Sequence, residues 1–406
     1  MEEEGLTTGS GPNISDAYTI NGLPGNLYPC SQNQTYTLKM ARGKTYLLQV
    51  INAALNNQFF FKLANHNLTV VAVDAVYTDP YVTDVIVLAP GQTTDVLVKA
   101  DQTPRSYYMA ARPYADARPP IDFSDTITRA IVVYDGASPS AAPLMPTLPS
   151  FNDTPTAHKF YTNITALVGA RHWVPVPRHV DHHMFVTFGL NLAPCGLPNG
   201  TACGGPNGQR LSASMNNVSF VIPNDAGLSM LEAYFHKVKG VYSTDFPDQP
   251  PVEFDYTNSS IRLDNSLIFA PKATSVKKLK FNSTVEMVLQ NTAFVSLENH
   301  PMHLHGFNFH VLAQGFGNYD PIHDPKKFNF LNPQIRNTIA VPVAGWAVIR
   351  FQANNPGPYL FKSFITNNLI IRDRYFNGFR TYTMYRCMAD ALPPGRPRTL
   401  GIGYGI

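Results

Sequence analysis

Three of the chain's twelve histidines fall in one short run, Glu298-Asn-His300-Pro-Met-His303-Leu-His305-Gly306. Neutral imidazole is the commonest metal ligand and is accepted by copper, zinc, iron and nickel alike. In an extended segment successive side chains point to opposite faces, so His303 and His305 share one face and His300 takes the other. One short strand could therefore serve two metal sites on its two sides. A zinc finger is disfavoured because the chain has no Cys-x-x-Cys pair. His310, in Phe307-Asn-Phe-His-Val-Leu, reads as a structural residue on a strand continuing into the core. His182 and His183, in Asp181-His-His-Met-Phe-Val-Thr-Phe, read as surface or packing residues.

Such a run needs a rigid frame, and the surrounding pattern supplies strands. Short β-rich stretches recur between turn residues: 45–51, 59–63, 68–73, 85–88, 94–98 and 128–134. A second set follows at 218–222, 266–269, 284–289 and 346–351. Strands at this spacing, with no long helical periodicity, predict β-sandwiches. Residues 136–157 are rich in Ala, Ser and Pro and read as a linker. A long irregular insertion is expected between 224 and 262. The expected organisation is a first domain over 1–140, a linker over 141–158 and a second domain over 159–406.

Composition narrows the class. Hydrophobic residues make up 44% and charged residues 15% of the 406, which suits a packed protein rather than a disordered one. A net charge of +3 without a long Lys/Arg block argues against nucleic acid as a partner. No apolar run is long enough to cross a bilayer, so no membrane partner is expected. The acidic start Met1-Glu2-Glu3-Glu4-Gly5 does not read as a signal peptide. The four cysteines, Cys30, Cys195, Cys203 and Cys387, are too few for a disulfide scaffold. Cys195 and Cys203 bracket a turn-rich loop that a local disulfide could close in an oxidising compartment. Nine Asn-x-Ser/Thr sequons, at Asn13, Asn33, Asn67, Asn152, Asn163, Asn199, Asn217, Asn258 and Asn282, favour a secreted glycoprotein.

The run from His300 to Gly315, His-Pro-Met-His-Leu-His-Gly-Phe-Asn-Phe-His-Val-Leu-Ala-Gln-Gly, resembles the third copper-binding segment of the multicopper oxidases, and within them that of plant laccases. Asp16-Ala-Tyr-Thr-Ile-Asn-Gly-Leu-Pro-Gly25, Ile51-Asn-Ala-Ala-Leu55, Ala89-Pro-Gly-Gln-Thr-Thr94 and Arg336-Asn-Thr-Ile-Ala-Val-Pro-Val343 are similar to laccase stretches as well. The resemblance runs almost continuously over residues 10–357. It implies an all-β, cupredoxin-like Greek-key architecture, with this chain holding the second and third of three sandwiches. It implies oxidation of phenols or lignin-type diphenols with reduction of O₂ to water, in lignin metabolism in the extracellular space, by a monomer. Four coppers serve a complete family member. By the same resemblance His300 would bind the type 1 copper, His303 the type 2 copper and His305 one of the type 3 pair.

Two departures mark the chain. The two His-x-His segments of the family's first domain do not occur in it, and neither does the closing His-Cys-His-x-x-x-His. No histidine follows His323, and Cys387 sits in Arg-Cys-Met. A blue-copper site needs two histidines and a cysteine, so the chain as given is expected to be catalytically incomplete. Family-like sequence stops at Gly357. Read one nucleotide later, codons for residues 388–406 are compatible with Trp-Leu-Met-His-Cys-His-Leu-Asp-Val-His-x-Pro-Trp-Gly-Leu-Ala-Met-Ala, the laccase ending. A lost reading frame after Gly357, through a retained intron over roughly 358–386, accounts for both observations. Residues 358–406 are accordingly expected to be aberrant, irregular and weakly packed. The alternatives are a non-catalytic secreted β-sandwich glycoprotein, a truncated gene product, or a relative such as an ascorbate oxidase.

Overall fold

The computed structural model describes residues 8–11, 14–221, 230–260, 264–356, 359, 361–363 and 399–405. They form two compact units, one with described residues 14–116, 122–174 and 399–405, the other with 8–11, 117–121 and 175–363. Both are built from strands, in keeping with the all-β expectation.

The first unit contains β1 (Ala17–Ile20), β2 (Thr37–Met40), β3 (Thr45–Asn52), β4 (Gln58–Leu63), β5 (Leu68–Val73), β6 (Val76–Thr83), β7 (Ile86–Leu88), β8 (Thr93–Lys99), β9 (Ser106–Tyr114) and β10 (Thr128–Tyr134). One sheet runs β2-β10-β9-β4-β7, and β3-β8-β5-β6 are neighbours in the other. Alternation sets the inward face: along β8, Thr94, Val96 and Val98 are buried between more exposed neighbours. The region expected to be a linker is part of this unit. Leu144 exchanges backbone hydrogen bonds with Ser106 and Tyr108. Asp153 caps helix α1 (Thr154–Thr162) by accepting from the Thr156 amide at 3.0 Å. The helix buries Phe160 and Tyr161, and the Tyr161 hydroxyl donates to Gln58 Oε1. Burying these two rings holds the segment against the sandwich, despite its loop-like composition.

The second unit contains β11 (His182–Ala193), β12 (Arg210–Met215), β13 (Ser219–Phe220), α2 (Met230–Phe235), α3 (Asn265–Ile268), β14 (Lys272–Ala273), β15 (Thr284–Asn291), β16 (His300–Leu304), β17 (Phe309–Phe316), β18 (Ile335–Arg336), β19 (Thr338–Val341), β20 (Gly345–Gln352) and β21 (Phe361–Ser363). A sheet ordered β12-β11-β15-β20-β17-β18 and a smaller one ordered β19-β16-β21 share one core. Val186, Leu289, Phe309 and Ile349 from the larger sheet pack with Met302 and Ile339 from the smaller. Residues 266–269 are not the expected strand. The Asp264 carboxylate accepts from the Ser266 amide, and this cap turns the apolar run into α3.

Two segments lie in a different unit from the one expected. Residues 8–11 belong with the second sandwich, where Thr8 and Gly9 carbonyls accept from the Gly204 and Leu211 amides. A side chain at Gly9 (φ +69°) would meet Cys203 Sγ and Arg210 at about 3.1 Å, so glycine suits the turn. The last described strand, β22 (Thr399–Gly405), inserts between β1 and β3 of the first unit, antiparallel to one and parallel to the other. Most of 358–406 lies outside the described residues. The described pieces are strands rather than irregular chain: β21 pairs along β16, and β22 fills a gap in a sheet. Exposed backbone groups at a sheet edge invite such pairing whatever the side chains.

Candidate metal centre

β16 presents His300 and His303, whose directions its register fixes, and His305 follows in the turn directly after it. It pairs antiparallel with β19 (His300 opposite Val341, His303 opposite Thr338) and on its other side with β21 (His303 opposite Lys362). His300 is fully buried, with its ring edge-on to Phe188 at 5.4 Å between centroids. Burial pushes its pKa down to about 3, so the imidazole is neutral near pH 7. His303 and His305 are half-buried, and their rings meet at 4.7 Å with a 68° interplanar angle. His303 and His305 thus lie together, with His305 in the turn rather than in the extended segment expected from the sequence.

His303 is held in one tautomer. Its Nδ1–H donates to the Asn337 carbonyl at 2.9 Å and lies 2.9 Å from Thr338 Oγ1, whose own hydroxyl donates to Asn337 Oδ1. A carbonyl only accepts, so the proton is on Nδ1 and the lone pair on Nε2, the arrangement a ligating histidine needs. Asn337 and Thr338 were visible in the sequence only as part of a family-like stretch, and no spacing rule marks them as partners of His303. After His305 the chain turns at Gly306 (φ +77°), where an added Cβ would lie 2.4 Å from the Tyr359 ring. The Asn355 amide donates to the Gly306 carbonyl at 3.0 Å and fixes this turn.

Two imidazoles on one face make half of a four-coordinate set. Among the described residues no three His, Cys, Asp or Glu side chains converge as a metal-holding group. The donor chemistry thus suits copper or zinc, while the ligand number is incomplete. His310 is buried on β17, with Nδ1 3.3 Å from the Arg350 carbonyl, as a core histidine would be. His183 is exposed and lies 3.2 Å from Glu286. Cys195 and Cys203 form a disulfide, Cys30 is an exposed thiol, and Cys387 lies outside the described residues.

Residues 1–137 and 245–369 match two family profiles, both described as multicopper oxidase. Laccase-7 of Arabidopsis thaliana is 60% identical over 374 residues, covering 91% of this chain and 64% of the relative. Laccase-3 of Oryza sativa is 50% identical over 363 residues, covering 88% of this chain and 62% of the relative. The chain thus spans about three fifths of the length of these relatives. Among solved structures, a laccase from Botrytis aclada aligns with TM-score 0.58 at 20% identity over 89% of this chain and 58% of that one. Fet3p, a multicopper oxidase that functions in iron import, aligns with TM-score 0.56 at 21% identity over 83% and 56%. These two likenesses place the fold among the cupredoxin-like sandwiches.

Proposed function

Because the chain belongs to the multicopper oxidase family, we propose that it derives from a laccase that oxidises phenols and reduces O₂ to water. Within that reading His300 serves the type 1 copper, His303 the type 2 copper and His305 one type 3 copper. The observation that carries it is the split across β16: one buried imidazole on one side and two adjoining imidazoles on the other. Copper, when bound, supplies one-electron oxidation of the phenol and the reduction of O₂. This chain's own residues bind and orient: Asn337 and Thr338 hold the His303 tautomer, and Phe188 packs on His300.

The described residues supply too few ligands for a blue site or for a three-copper cluster, so no catalytic step is assigned to the 406-residue chain. His303 and His305 would hold a single Cu(II) or Zn²⁺ weakly, with water completing the shell. Secretion as a glycoprotein fits the sequons, since Asn33, Asn67, Asn152, Asn163, Asn258 and Asn282 are all exposed, and by the family resemblance the protein is a monomer. Phenolic compounds of the lignin type are the proposed substrates, in lignin metabolism outside the cell.

Oxygen consumption with a phenol tests this on three versions of the protein. They are the chain as given, the chain joined to a family first domain, and the chain with both that domain and the His-Cys-His ending. Only the third should turn over. Turnover by either of the first two would contradict the ligand assignment, and failure of a copper-loaded third version would contradict the laccase reading.

A further inference from the structure

One face of the first unit carries a line of exposed aliphatic side chains. Leu47 on β3 lies opposite Leu97 on β8, Leu97 opposite Thr69 on β5, and Thr69 opposite Val82 on β6. Cross-strand partners share a face of the sheet, so the four form one row across four strands. Leu47 is 51%, Leu97 36% and Val82 60% exposed, whereas the inward-facing Val70 and Val96 are buried. Single exposed apolar residues are ordinary, but three aligned in register make a patch.

The row is one side chain wide. On β3 and β8 it is flanked by the hydrogen-bonded Gln49 and Asp95 on one side and by Thr45 and Lys99 on the other. A stable protein partner needs about 800 Å² per side, which four side chains between polar rows do not offer. A saccharide fits better. Its rings present an apolar face of C–H bonds to the aliphatic row and a rim of hydroxyls to the polar flanks.

An attachment point for a saccharide lies beside the row. Asn67-Leu68-Thr69 is a sequon, and its threonine is a member of the row. Burial alternates through it: His66, Leu68 and Val70 are buried and Asn67 is exposed. Asn67 therefore emerges on the face of Thr69, one strand repeat of roughly 7 Å along. We propose that Asn67 carries an N-linked glycan whose first sugars lie over the row at Leu97 and Val82. This rests on the secretion proposed above. The glycan comes from a lipid-linked oligosaccharide diphosphate. Asn67 Nδ2 loses a proton and bonds to the anomeric carbon, whose bond to the diphosphate oxygen breaks, and the lipid diphosphate leaves with that electron pair.

The test takes the full 406-residue chain, given a secretion leader and expressed in plant cells. Glycopeptide mass spectrometry should find Asn67 occupied. Hydroxyl-radical footprinting then reads the row. In the glycosylated chain Leu97 and Val82 should lose most of the oxidation they show in Asn67→Gln, measured against Leu331, an exposed leucine of the second unit. Thr69→Val removes the sequon while keeping a β-branched strand residue, and it supplies the same comparison if Asn67→Gln does not fold. Glycan at Asn33 and Asn152 with none at Asn67 would overturn this proposal alone, and glycan at no sequon would contradict the glycoprotein reading with it. Equal oxidation of Leu97 and Val82 with and without the glycan would also overturn it.

Discussion

His66 in the first unit and His303 in the second are both held by a backbone carbonyl at Nδ1, and they differ in the groups beside the ring. In His66, Nδ1–H donates to the Ala64 carbonyl and Nε2 accepts from the Tyr134 hydroxyl, each at 2.6 Å. Tyr107 packs on the same imidazole at 5.1 Å. The ring is a buried cross-brace. In His303 the Nδ1 bonds fix the tautomer, and the neighbouring ring is a second imidazole, His305. The comparison separates a histidine kept for packing from a pair that the proposed function assigns to copper. Residue type does not make that distinction; the neighbouring groups do.

The largest effect should come from breaking the brace. His66→Ala removes a buried ring and leaves the Tyr134 hydroxyl without its acceptor, which should cost about 2–4 kcal/mol in urea unfolding of the first unit. His305→Ala, at a half-buried position, should cost less than about 1 kcal/mol in the second unit. Equal losses would remove the distinction. Between these lies Gly306→Ala, which forces a side chain into the left-handed region and against Tyr359. A loss of about 1–3 kcal/mol is expected, and Gly306→Ala with Tyr359→Ala should recover the part due to the clash.

Acid should sharpen the contrast further. Burial lowers the His66 pKa below its ordinary 6.5. The folded state then binds a proton less readily than the unfolded state. Stability from the neutral ring is fully present above about pH 6.5 and is lost as pH falls through the folded value. Thermal melts of the first unit should decline over that window, and His66→Gln should flatten the decline. A decline of the same depth in His66→Gln would assign it to other groups.

The sequence made some of this legible and hid the rest for physical reasons. The period-two parity of His300 and His303 was readable because both lie in β16, while His305 sits in the turn after it. Most strand positions were readable from β-branched and aromatic runs. The Asp264 cap was not, because Ser-Leu-Ile-Phe reads as strand unless the aspartate two residues before it is weighed. The folded segment 141–162 was hidden by Pro and Ser, although Phe160 and Tyr161 were a burial signal. The partners of His303 depend on contacts distant in sequence, which local pattern does not encode. Neither does it encode the docking of β22 on β1 and β3, since pairing at a sheet edge runs through the backbone.

A smaller effect tests the metal side of the comparison. Zn²⁺ or Cu(II) titrated into the chain should bind weakly and be lost in His303→Ala, while His66→Ala, assayed where it remains folded, should leave binding unchanged. Binding that survives His303→Ala would place the metal elsewhere.

The central claim, that β16 carries part of a copper ligand set without the thiolate that completes a blue centre, is met most directly by visible absorption of the copper-loaded 406-residue chain. A Cys sulfur on Cu(II) beside two imidazoles gives an intense blue band. The account predicts that the chain stays without that band, with at most the weak absorption of imidazole-bound Cu(II). An intense blue band from the unaltered chain would contradict it.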